Sequence, residues 1–194
     1  EREQVALLVR IAGMWEEEFL KPEKAAERLE RVVDIDPTHT ESLAALARIY
    51  KQQRKWSELI STYERHIDAT PDKGEKAQLY AHIGALYRDE LGDTDRAVES
   101  YLNVTSLDPR NAGALRALAG LYEKREEHSM ALDAMEKLTE VTSDDAERVA
   151  LFFRMGKVLD KELGDRDSAV DHFQKAIDLD PKHLAALEAM RVIH

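Results

Sequence analysis

Asp34-Ile35-Asp36-Pro37, Ser106-Leu107-Asp108-Pro109 and Asp178-Leu179-Asp180-Pro181 are one phrase written three times, 72 residues apart. Pro71 lies 34 residues after Pro37 and 38 before Pro109, and Ser143 takes the corresponding place in the next half-period. The phrase therefore punctuates helical hairpins of alternating length, 34 and 38 residues. A period of this size marks a solenoid, in which each unit buries its apolar face against its neighbours rather than in a single central core. The expected fold is an all-α superhelix of five hairpins and a terminal unpaired helix. It forms a single array with repeats at about 1–37, 38–71, 72–109, 110–143 and 144–181, and the start of a sixth at 182–194.

Apolar spacing inside each unit supplies the helices. Leu43, Leu46, Ala47 and Tyr50 fall at i, i+3, i+4, i+7, the stripe of a packed helix. A polar turn at Gln53 to Lys55 follows, and a second set opens with Trp56, Leu59, Ile60 and Tyr63. Leu115, Leu118, Ala119 and Tyr122 repeat the first stripe, and Ala131 and Met135 the second. This pattern of leucine, small residue and tyrosine, then alanine, bulky residue and proline, resembles the tetratricopeptide repeat (TPR), and the resemblance spans essentially the whole chain. It implies that Ala47, Gly84, Ala119 and Gly156 let the two helices of a hairpin approach, with Ala97, Ala131 and Ala169 fitting against them. Trp56 opening a second helix resembles the related half-a-TPR repeats of RNA-processing proteins, but the proline and alanine pattern favours TPR.

The long units depart from the short ones in a regular way. Gly84 to Ala97 and Gly156 to Ala169 span 13 residues, where Ala47 to Leu59 and Ala119 to Ala131 span 12. One extra residue falls in ELGD, at Glu90 to Asp93 and Glu162 to Asp165, and three more enter between repeats, around Asp72 to Ala77 and Asp144 to Arg148. Gly92 and Gly164 can take positive φ in ELGD, and the following Asp can cap the next helix. First helices are expected near 2–20, 39–53, 73–91, 111–125 and 145–163, and second helices near 22–35, 56–69, 94–107, 128–141 and 166–179. A last helix at about 183–193 leaves Leu184, Leu187 and Met190 partly uncovered, a possible seat for self-association.

Composition narrows function by exclusion. The net charge of −11 disfavours nonspecific binding to nucleic acid or anionic lipid. Cysteine is absent, so neither disulfides nor thiolate metal sites are expected. No apolar run is long enough to span a bilayer, so direct membrane insertion is not expected. Glu1 is no initiator and the last repeat is unfinished, which reads as a piece of a longer protein; no compartment is specified, with the cytoplasm slightly favoured. There is no HExxH, GxSxG or glycine-rich phosphate loop, and neither a catalytic residue, a metal site nor a cofactor is expected. The Asp171–His172 pair reads as a solvated helix face, and the DIDP-type phrases as helix stops rather than metal ligands.

The resemblance to TPR proteins carries a functional expectation: a non-catalytic scaffold whose first helices line a groove for a partner's peptide or helix. Position by position it nominates Arg10, Arg48, Lys51, His82, Arg88, Arg116, Lys124, Arg154 and Lys157. Glu16, Glu17, Glu41, Asp89, Glu123 and Asp160 interrupt this set. Arginine forks suit carboxylates, so an acidic segment is the expected partner. The competing reading of the same residues is that they pair with those neighbouring acids. A two-carboxylate chaperone clamp is not expected, because the only asparagines, Asn103 and Asn111, lie off the groove. The alternative at the level of the whole protein is a spacer or regulatory segment of a larger enzyme or sensor.

Overall fold

A computed structural model describes residues 1–193. They form α1 (Arg2–Glu17), α2 (Pro22–Ile35), α3 (Thr40–Gln52), α4 (Trp56–Ala69), α5 (Lys73–Leu86), α6 (Thr94–Leu107), α7 (Ala112–Lys124), α8 (His128–Val141), α9 (Asp145–Val158), α10 (Arg166–Leu179) and α11 (Leu184–Ile193). No strand occurs among the described residues. Each odd-numbered helix up to α9 packs antiparallel-hairpin fashion on the helix that follows it, and α11 packs on α10. The chain divides at a repeat junction into two compact units, Glu1–Leu107 and Asp108–His194.

Four of the five second helices start and end where the apolar pattern sets them, and α2 does likewise behind Pro22 at its first turn. The recurrent Asp-Pro phrase is a helix stop with a defined chemistry. Asp36, Asp108 and Asp180 each accept the backbone N–H two residues on, at 3.0, 3.1 and 3.0 Å. The residue three places beyond each Asp then caps the next helix: Nδ1 of His39 and of His183, and Oδ1 of Asn111, accept N–H groups at 3.2, 3.2 and 3.0 Å. Asp72 and Asp144 cap α5 and α9 in the same manner.

The extra ELGD residue of the long units does not loosen the turn. It is absorbed as one π-helical turn, Tyr87–Leu91 after α5 and Leu159–Leu163 after α9. In the short units the chain exits through a bond five residues back, Lys55 N–H to Tyr50 C=O and Glu127 N–H to Tyr122 C=O, both 2.9 Å. In the long units the corresponding bond reaches six back, from Asp93 to Tyr87 at 2.8 Å and from Asp165 to Leu159 at 2.9 Å. Gly92 and Gly164 precede those donors at φ 66° and 68°. The first hairpin follows the long form, with Lys21 N–H on Trp15 C=O at 2.8 Å and Leu20 at φ 51°. Its first helix nevertheless stops at Glu17, earlier than the apolar pattern suggests.

In the first unit the core joins Ala12, Ala25, Leu29, Leu43, Leu46 and Leu59, with a second cluster of Ile60, Ile67, Leu79 and Ile83 beyond it. In the second unit Val149, Leu159, Ala169, Phe173, Ala176 and Ala186 form the corresponding cluster. Trp15 and Tyr87 are half-buried and Tyr50 and Tyr122 fully buried, as packing residues rather than a ligand-stacking row. One packing expectation needs correction. What a Cβ on Gly84 would meet first is not Ala97 but the ring of Tyr101, at 3.0 Å, and for Gly156 it is the ring of Phe173, at 2.6 Å. The glycines make room for an aromatic one turn further along the second helix. The terminal helix buries Ala186 but leaves Leu184 and Leu187 exposed.

Candidate functional site

The nine nominated cations divide into two chemical states. The arginines of the first group are already held by carboxylates. Arg48 on α3 forks onto Glu16 of α1, with Nη1 on Oε1 and Nη2 on Oε2 at 2.8 Å. Arg116 on α7 donates through Nε and Nη2 to Oε1 of Glu147 on α9, at 2.7 and 2.6 Å. Arg154 on α9 returns the favour to α7, with Nε 3.3 Å from Glu123 Oε1 and Nη2 on Oε2. Arg88, in the π turn, grips its own neighbour Asp89 at 2.7 and 2.8 Å and lies over the ring of Tyr101, 5.8 Å from its centroid.

These pairs set local electrostatics. Hydrogen bonding to Arg48 holds the Glu16 carboxyl below its usual range. Glu147 is lowered too, first by the Thr142 hydroxyl, which donates to it at 2.6 Å, and then by Arg116. Three of the four arginines thus tie the first helices of consecutive hairpins together: α1 to α3, and α7 to α9 twice.

The second state is open. Arg10, Lys51 and Lys124 are exposed and make no ion pair among the described residues. Lys157 is exposed too and lies over the Phe153 ring, 5.8 Å from its centroid. His82 stacks on Tyr63 with ring centroids 5.5 Å apart and planes 29° from parallel. Desolvation against that ring lowers its pKa, and the Lys51 charge adds to the effect.

Arg48, Lys51 and His82 come together on one cleft of the first unit, about 520 Å³ in volume. Its floor is apolar, made by Ala44, Ala47, Tyr63 and Leu79 from α3, α4 and α5. Small residues on the exposed side of α3 keep the floor low, so the three basic groups stand as a rim above it. Buried His66 reaches the edge of the cleft, its Nε2 3.1 Å from Glu75. The sequence stripe had Tyr63 only as a packing residue, and Leu79 was not singled out. Their cleft-lining edges become visible once α4 and α5 are set side by side, because each side chain is shared between core and surface. In the second unit Arg116, Lys124, Arg154 and Lys157 sit on α7 and α9, the equivalent pair of first helices.

His172 Nδ1 lies 2.8 Å from Ser168 C=O, one turn back, and its ring tilts against Phe152 at 6.3 Å, while Asp171 is exposed. Among the described residues no three His, Asp or Glu side chains gather in a metal-binding arrangement, and no helix is long and apolar enough to cross a membrane. The cleft combines an apolar trough, small groups at its base and basic side chains along its edge.

A stack of helical hairpins, packed one against the next within each unit, defines a class of protein, the helical-repeat interaction scaffolds. Tetratricopeptide repeat models match residues 42–77, 84–146 and 149–183, and the chain belongs to the tetratricopeptide repeat family. It is similar to the human protein O-mannosyl-transferase TMTC1, 26% identical over 147 residues that cover 75% of this chain and 16% of that protein. It is also similar to the peroxisomal targeting signal receptor of Candida albicans, 27% identical over 163 residues, 81% of this chain and 27% of the receptor. The chain thus spans about a sixth to a quarter of the length of these relatives. Among solved structures it resembles YrrB, described as a TPR protein with an unusual peptide-binding site, with TM-score 0.56 at 17% identity over 95% of this chain and 90% of YrrB. That likeness bears on the fold, an all-α solenoid of helical hairpins. A fold of this family is a scaffold for protein–protein interaction.

Proposed function

We propose that the chain is a non-catalytic scaffold that binds a partner's peptide or helix, with an acidic segment, against its first helices. The cleft of the first unit supports this reading most directly. Lys51 is an uncommitted cation over an apolar trough, with the His82 imidazole beside it, and apolar burial supplies affinity where exposed charges alone give little. Arg48 is reserved for Glu16, so a ligand carboxylate would meet Lys51 first and reach Arg48 only by exchanging with Glu16. That exchange swaps one charge-assisted pair for another and contributes little net free energy. Lys124 and Lys157 take the part of Lys51 in the second unit, with Arg116 and Arg154 held in reserve, and Arg10 and Arg88 complete the set, Arg88 held by Asp89. The 72-residue phrase runs through both units and supports reading them as consecutive parts of one array.

The test is fluorescence anisotropy with labelled peptides that alternate leucine with glutamate, or leucine with lysine. The acidic peptide is expected to bind, to weaken as salt rises, and to lose affinity to a Lys51→Glu, Lys124→Glu variant. Preference for the basic peptide, or an unchanged affinity in that variant, removes the basic rim from the account.

A second reading is favoured by the similarity to a human transferase of which this stretch matches only a sixth. In it the hairpins serve as a spacer or regulatory segment of a larger protein whose chemistry lies elsewhere.

A further inference from the structure

The two units carry one seam in two chemical versions. Positions 44 and 51 of α3 and 75 and 82 of α5 return 72 residues later as 116 and 123 of α7 and 147 and 154 of α9. In the second unit these four positions make two rungs. Arg116 donates to Glu147 at 2.7 and 2.6 Å, and two turns further along Arg154 donates to Glu123. Each rung sets a guanidinium against a carboxylate. In the first unit neither rung is complete. Ala44 stands in the place of Arg116, so no arginine comes to Glu75 from α3. Lys51 and His82 stand for Glu123 and Arg154, which gives the second rung two basic side chains and no acid.

The cleft of about 520 Å³ lies across these incomplete rungs, with Ala44, Lys51 and His82 in its lining. A separate observation marks the Glu75 end. Oε2 of Glu75 takes the Thr70 hydroxyl, as Oε2 of Glu147 takes that of Thr142, but the place of Arg116 at Oε1 falls to His66. His66 lines the cleft and is only 8% exposed. Its Nε2 comes within 3.1 Å of Oε1 without the alignment of a hydrogen bond, and no other partner satisfies it among the described residues. A buried polar atom left in that state is uncommon and costly. The carboxylate, for its part, keeps acceptor capacity that one misaligned imidazole does not fill.

We propose that the cleft seats a partner helix that brings both missing members, an arginine for Glu75 and, two turns away, a carboxylate for Lys51 and His82. This rests on the reading of the cleft as a peptide site and names what the peptide carries. Residues 44 and 51 lie seven apart on α3, about 10 Å along the axis at 1.5 Å per residue. The occupant's opposite charges therefore stand at i and i+7 on one helix face, the spacing of Arg116 and Glu123 on α7. Apolar side chains at i+3 and i+4 meet the floor made by Tyr63 and Leu79, in the manner of a helix laid into a groove. A purely acidic segment answers one rung. A segment of opposite charges answers both.

The test uses helix-stapled, fluorescein-labelled peptides with an arginine and a glutamate seven positions apart and leucines between them, since a short unstapled helix is marginal in water. Both orders are made, because the rungs fix the spacing and not the direction. Companion peptides carry glutamine for the arginine, for the glutamate, or for both. Anisotropy titrations of the full chain should show binding by at least one order, weakened about fivefold when its arginine becomes glutamine. That dependence should vanish in Glu75→Gln. It should vanish also in Ala44→Arg, which installs the second unit's own bridge at an exposed position and keeps the test decisive if Glu75→Gln loosens the Thr70 contact. Dependence on the peptide's glutamate should persist in both variants and shrink in Lys51→Gln. Binding that needs the glutamate but ignores the arginine overturns this inference and leaves the acidic-peptide reading standing. An arginine dependence that survives Glu75→Gln and Ala44→Arg overturns it as well. Binding of the alternating leucine–glutamate peptide but of none of these has the same meaning, whereas no binding of either kind overturns both readings.

Discussion

The ring of Phe173 fills the space where a side chain on Gly156 would begin, with Cε1 2.6 Å from that Cβ position. The equivalent approach of Tyr101 to Gly84 is looser, at 3.0 Å. Both substitutions to alanine gain helix propensity of roughly 1 kcal/mol. Against this stands overpacking, typically about 1–3 kcal/mol in a filled core. Phe173 is among the largest fully buried side chains and cannot swing clear, so clash wins at Gly156. Gly156→Ala should destabilise by about 1–2 kcal/mol net, and Gly84→Ala should fall close to neutral. Urea melts of the two variants check this ordering, and Phe173→Leu combined with Gly156→Ala should recover part of the loss.

Leu20 occupies the left-handed position that glycine fills in the other long hairpins, yet it is 79% exposed. A leucine there carries steric strain without compensating burial. Leu20→Gly should therefore stabilise the chain by about 0.5–1 kcal/mol even though glycine raises the entropy of the unfolded state. Gly92→Ala should destabilise by a similar amount. Matched thermal melts of both variants read the two signs.

The Glu16–Arg48 pair predicts an acid-side stability change. The folded carboxyl is held below its ordinary value, so its contribution is fully present above the unfolded pKa and fades as pH falls through the lower folded one. Arg48 is half exposed, so the contribution is of the order of 0.2–1 kcal/mol. Chemical denaturation at pH 7 and pH 3 should show that Arg48→Gln loses this amount at pH 7 and less at pH 3. An equal loss at both values would assign Arg48 a packing role instead.

His82 makes binding in the first unit pH-dependent. Its pKa is depressed in the free protein, so it is neutral at pH 7 and gains its proton only below the ordinary imidazole value. A bound carboxylate favours the proton. Affinity for the leucine–glutamate peptide should thus rise between pH 7 and about 5.5 while the peptide remains ionised. His82→Gln should flatten that rise, and anisotropy titrations across the interval measure it.

Nearly all of the helices can be read from the chain because proline, glycine and apolar spacing act locally. Trp56–Ala69 and Thr94–Leu107 follow from stripes and stops that involve no distant residue. The rim was half legible. That Arg48, Arg116 and Arg154 face acids was one of two readings of a mixed row, and no local rule pairs residues 31 or 32 positions apart. The choice depends on how consecutive hairpins are offset, which brings Glu16 under Arg48 and Glu147 under Arg116. The same offset hides Tyr63 and Leu79 as cleft residues, since a packing position and a lining position look identical in sequence. The π turns were hidden for another reason. A one-residue surplus is countable, but its placement inside a helix rather than in a loop is a matter of hydrogen-bond geometry.

That placement has an evolutionary corollary. A residue inserted where α5 or α9 ends is swallowed by a single widened turn, so the helix before it and the helix after it keep their phase. The single extra residue of the turn is thereby taken up within the first helix, without adding a residue to the loop. Such a joint lets an array be duplicated in pairs, trimmed or spliced without retuning its interfaces.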